Sequence, residues 1–63
     1  MTPENSYLID KIDEERSIVT DRMVSGSAAD YAEYRRLVGV IQGLALARSI
    51  IKDLAERMEK NDE

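Results

Sequence analysis

The run Leu37–Ile51, LVGVIQGLALARSII, limits the fold more than any other stretch, because only Gln42, Arg48 and Ser49 in it are polar. Wound as a helix at 100° per residue, it places Leu37, Val40, Leu44, Ala47, Ile51, Leu54 and Met58 on one seam. Val38, Ile41 and Ala45 form a second apolar strip beside that seam. On the other flank Gly39, Gly43 and Ala47 form a row of small residues four apart. A helix that is apolar on several sides has to be surrounded, and a chain of 63 residues holds little to surround it with. Chains this short lean on disulfides, a metal or oligomerisation. With no cysteine and no histidine, association is the route that remains.

Charge narrows the partners. Residues 1–30 carry seven acidic and three basic side chains, residues 31–63 six of each, for a net charge of −4. That balance argues against a nucleic-acid footprint, which needs a basic face, and against an anionic membrane surface. The apolar run is too short to span a bilayer and is interrupted by Gln42 and Arg48. The start, MTPENSYL, shows no basic region followed by an apolar one, so no signal peptide is expected. Cysteine-free composition is compatible with a reducing compartment.

Taken in order, the chain predicts two helices in one domain, residues 1–63. Thr2-Pro3-Glu4 reads as a helix start: a capping hydroxyl, a proline at the first helical position, an acid facing the positive dipole end. Asn5 or Ser6 offers a slightly later cap. Leu8, Ile12, Val19 and Met23 fall on one face, interrupted by Glu15 and Arg16, with Ile9 at its margin and Tyr7 and Ile18 off it. Helix 1 is expected over about residues 3–24. Ser25-Gly26-Ser27 is the clear break, Gly26 closing one helix in the left-handed conformation and Ser27 capping the next, with Asp30 completing an acidic capping box. Helix 2 is expected over about 28–60, with Lys52–Glu56, Asp53–Arg57 and Glu56–Lys60 at ion-pair spacing.

The resulting class is all-α: an antiparallel helical hairpin with a short helix 1 and a longer helix 2, oligomeric or docked on a larger partner. Folding about Gly26 puts Ile12 near Val40 and Leu8 near Leu44, so helix 1 runs out near Arg48. Ile50, Ile51, Leu54 and Met58 then extend beyond it without intrachain cover. At roughly 1.5–3 kcal/mol per large apolar side chain, that exposure rivals the whole stability of a small domain.

No catalytic constellation appears. Asp13-Glu14-Glu15 are adjacent helical residues pointing about 100° apart, which suits a solvated acidic face better than converging carboxylates. Ser25 and Ser27 lack a histidine to activate either, and no glycine-rich loop ends in Lys-Ser or Lys-Thr. No cofactor or metal is expected. Gly39-x-x-x-Gly43-x-x-x-Ala47 is more telling, since each helical glycine costs about 1 kcal/mol relative to alanine. Either another helix approaches bare backbone there, or the glycines relieve crowding inside the hairpin. Tyr34 lies on the apolar side as core or interface, and Arg35 and Arg36 have Asp30 and Glu33 nearby for ion pairing. The expected interface is Tyr34, Leu37, Gly39, Val40, Gly43, Leu44, Ala47, Ile50, Ile51, Leu54 and Met58.

The run Gly26-Ser27-Ala28-x-Asp30-Tyr31-x-x-Tyr34-Arg35-x-x-Val38-Gly39-x-Ile41-x-Gly43-Leu44 resembles small helical proteins encoded among the head and packaging genes of tailed bacteriophages. The resemblance covers roughly residues 24–55. It implies a non-enzymatic role in the virion or in head assembly, located in the particle or in the host cytoplasm during assembly. Partners would be further copies of the chain, a larger particle protein, or both. The alternative is a small dimeric helical-bundle regulator that binds a host or phage protein or an RNA.

Overall fold

The computed structural model describes residues 1–26 and 30–61. They form two helices, α1 (Pro3–Val24) and α2 (Tyr31–Asn61), with no strand among the described residues. Thr2 is extended, and its Oγ1 accepts the Asn5 backbone N–H at 3.1 Å. Of the three possible caps it is therefore the one in use, with Pro3 in the first turn. At the other end the Ser25 N–H donates to the Asp21 carbonyl at 2.9 Å and the Gly26 N–H to the Met23 carbonyl at 3.3 Å. Gly26 has φ +76°, the left-handed conformation expected there. Asp30 caps α2: its Oδ1 accepts the Glu33 N–H at 2.8 Å, and its carbonyl accepts the Tyr34 N–H at 3.0 Å. A short acidic side chain before the first turn satisfies a donor that the helix cannot. The expected cap at Ser27 and start at Ala28 lie outside the described residues.

The helices run antiparallel, with a register different from the one expected about Gly26. Arg48 Nε donates to Asp13 Oδ1 at 2.9 Å, and the Met1 ammonium meets Glu59. Continuing that pairing one for one sets Leu37 level with Val24. The unmatched part of α2 is therefore its first turn and a half, Tyr31–Arg36, beside the connection. Its C-terminal end is matched by α1 and the extended Met1-Thr2. The reason is the length of the connection: residues 25–30 separate the helices, so α2 starts further along than a turn at 25–27 allows. Thus Ile50, Ile51, Leu54 and Met58 do not overhang.

Each helix turns a seam inward with alternating steps of four and three, the 3.5-residue repeat of closely packed near-antiparallel helices. On α1 it is Asn5, Ile9, Ile12, Arg16, Val19 and Met23; on α2 it is Leu37, Ile41, Leu44, Arg48, Ile51 and Ala55, all buried or half-buried. The fully buried members are Ile9, Val19, Leu37 and Ala55. This corrects the expected faces. On α1 Ile9 is central and Leu8 is exposed. On α2 the expected seam shares Leu37, Leu44 and Ile51 with the observed one, but Val40 and Leu54 are exposed and Ile41, Arg48 and Ala55 face α1 instead.

Replacing Gly26 by valine isolates the turn, because a Cβ there meets nothing within 4 Å and the only penalty is the positive φ. Gly26→Val should lower stability by about 1–2 kcal/mol, a β-branched residue being ill-suited to that conformation. Chemical denaturation measures it, and an unchanged midpoint contradicts a left-handed Gly26.

Candidate functional site

Two unlike long sides flank the seam. On one, Arg48 and Asp13 join across the helices, and Arg16 approaches the same carboxylate at 3.9 Å. Ser49, Lys52, Asp53 and Glu56 continue a shallow polar groove there with Arg16 and Arg48. Three bases and the acids beside them largely neutralise one another, so this groove has no strong preference for an ion of either sign.

Crossing the seam from Asp13, α1 presents Leu8. Crossing it from Arg48 in the corresponding sense, α2 presents Leu44 and Ile51, then Ala47, Val40, Leu54 and Met58. Leu46 and Ile50 lie further round, at the outer edge of α2. Leu8 is 45% exposed, Leu54 54%, Ile50 58% and Leu46 63%. For large aliphatic side chains these are high values; Leu8 and Leu54 flank the seam, and Ile50 and Leu46 continue round the back of α2. Full burial of each is worth roughly 1.5–3 kcal/mol, much of which the isolated hairpin forgoes.

The small residues belong to this face. A Cβ built at Gly39 or Gly43 meets nothing within 4 Å, so crowding inside the hairpin does not explain either glycine. Both are exposed, and Ala47 is half-buried. Of the expected interface residues, Val40, Gly39, Gly43, Ala47, Ile50, Leu54 and Met58 lie on this outward surface. Leu37 is buried in the seam, with Leu44 and Ile51 on the ridge between seam and surface. Sequence reasoning missed Leu8 and Leu46. Leu8 was placed on the core stripe because the true centre, Ile9, is its neighbour; Leu46 is a lone apolar residue outside both predicted strips.

Tyr34 stands apart, on the projecting first turns of α2, stacked on Tyr31 with ring centroids 6.5 Å apart and planes 17° from parallel. Beside it Arg36 grips Glu33 through both carboxylate oxygens, at 3.0 and 2.6 Å. The expected pairing of a basic residue with Glu33 is therefore made by Arg36. This hydrogen bond holds the Glu33 carboxyl below its ordinary value and the Arg36 guanidinium above its own. Of the three ion pairs expected late in α2, Asp53–Arg57 forms, at 3.1 Å. Among the described residues there is no cluster of acidic side chains suited to a metal ion, and no helix is long and apolar enough to cross a membrane.

Comparison with family models, with curated proteins and with solved structures returns no match. The geometry of the chain itself is what bears on function.

Because Glu33 titrates below its ordinary value, whatever stability its contact gives is present above that value and lost as pH falls through the lowered one. Carboxyl NMR should place the Glu33 midpoint below the ordinary glutamate value, and Arg36→Ala should return it there. A Glu33 midpoint unmoved by Arg36→Ala contradicts the contact.

Proposed function

We propose that this chain is a non-enzymatic assembly protein, acting through the bare side of α2 as a helix–helix interface. One observation carries the reading: aliphatic residues from Val40 to Met58, joined by Leu8, are exposed along one side of the hairpin, and of the charges in that stretch only Arg57, paired with Asp53, borders that side, near its end. Lys52, Asp53 and Glu56 line the polar groove, and Arg48 is tied to Asp13. A contiguous apolar surface on a small domain is the usual mark of an interaction site. It recognises by shape and desolvation, without charge steering.

The setting comes from the resemblance to small proteins of phage head and packaging genes. On that basis the protein is a virion- or head-associated component, contacting copies of itself or a larger particle protein. The regulator alternative, where it involves RNA, needs a basic patch. Arg35 and Arg36 are the adjacent pair, and Arg36 is already engaged by Glu33.

A charge placed on the bare side should abolish association, and one on the polar side should not. Leu54→Lys should weaken self-association or particle incorporation by at least about tenfold, roughly the loss of one buried leucine. Gln42→Lys, on the polar arc, should change either by less than about threefold. Sedimentation and quantitative mass spectrometry of purified particles read the two outcomes. Equal behaviour of the two variants contradicts the proposed surface.

A further inference from the structure

We infer that the occupant of the bare side of α2 is a second copy of this chain, packed with the two α2 helices antiparallel about a two-fold axis between Arg48 and Ser49. This rests on the function proposed above and names its partner. The first support is area. The chain exposes 4908 Å², against roughly 4,100 Å² for a compact monomer of its mass. The surplus of about 800 Å² measures how much more surface the chain leaves open than a compact fold, and a standard stable interface covers about that area on each partner. It arises from shape, a rod of 51 × 17 × 12 Å, which pairing side by side would thicken.

The second support is the order of residues along that side. Its N-terminal half carries small residues at Gly39, Gly43 and Ala47, and its C-terminal half large ones at Ile50, Leu54 and Met58. Reversing the helix about the point between Arg48 and Ser49 brings Gly39 opposite Met58, Gly43 opposite Leu54 and Ala47 opposite Ile50. Each of these three small positions meets one of the three large ones, while Val40 comes opposite Arg57, near the end of the contact, and Leu46 opposite Ile51. A parallel, in-register pair would set glycine against glycine and leucine against leucine, leaving gaps at one end and crowding at the other. The open space over both glycines is where the partner's Leu54 and Met58 would seat. Because the face is uncharged from Val40 to Leu54, bringing it against itself juxtaposes no like charges there.

Orientation and contact can be tested separately on the full chain. With no native cysteine, single spin labels can be placed at Gln42→Cys and Lys60→Cys, both on the exposed polar arc. In the antiparallel pair the two labels should be separated along the axis by about 20 Å at position 42 and about 35 Å at position 60, from 1.5 Å per residue. Similar distances at both positions would mean a parallel pair and overturn the inference. The contact is read by exchange of residues: Gly43→Leu and Leu54→Gly should each weaken dimerisation by about tenfold or more. The double variant, which restores one large and one small residue at that contact, should return to within about threefold of the wild type. A double variant as weak as the combined single effects overturns the pairing, provided circular dichroism shows helix retained. A well-folded monomer at 0.5 mM overturns self-pairing too. In that case the assembly function survives only if Leu54→Lys still blocks particle incorporation.

Discussion

A helix covers one stripe of its surface against one neighbour, and α2 carries apolar residues along two. Leu37, Leu44 and Ile51 form a ridge common to both. Four residues on from the first two ridge positions and from Ile51 lie Ile41, Arg48 and Ala55; three residues on lie Val40, Ala47 and Leu54. Only the first set faces α1. That side is marked by the contact between Arg48 and Asp13, 2.9 Å apart and partly shielded. A pair this exposed contributes modestly to stability. The flank that faces α1 carries Arg48 where the other carries Val40, so the ion pair offsets only part of that difference in burial, and docking the other flank would part Arg48 from Asp13. The arginine stem also packs in the seam while its head stays at the edge.

The remaining features follow from that choice. With Arg48 level with Asp13, the amino terminus reaches Glu59 and α1 matches α2 to its far end. The first turns of α2 then project beside the connection, where Asp30 caps them and Glu33 and Arg36 close on each other. The flank not chosen, with Gly39 and Gly43 on it, is left bare along most of the length of the rod. Exposure there reflects the side α1 occupies, not a shortage of α1.

Much of the fold was legible because it is written in local chemistry. Thr2-Pro3 starts a helix, Gly26 ends one, and the 3.5-residue spacing in both halves gives a hairpin. The register was not legible, because it depends on how long the connection is, and Asp30 competes with Ser27 for the cap. Nor was the buried flank: counting apolar residues favours Val40, Ala47 and Leu54 over a set containing Arg48. The rule that failed is that a charged residue marks the outside, and it failed because Asp13 stands across the seam. Of Ile50, Ile51, Leu54 and Met58, all expected to be uncovered, Ile51 is half-buried in the seam and the other three are exposed, though not because α1 runs out. The glycines fit two readings in the sequence, and the open space above both removes crowding inside the hairpin as their reason.

The central claim is that the hairpin is one half of a core completed by association of α2. Its most direct test is the concentration dependence of thermal unfolding, followed by circular dichroism from about 5 to 500 µM, since a partner that binds only the folded state raises the midpoint by mass action. The account predicts a rise of about 5 °C or more over that hundredfold range, as a short chain shifts several degrees per kcal/mol. A midpoint independent of concentration, in a cooperative transition, would show a hairpin already complete by itself and contradict the account.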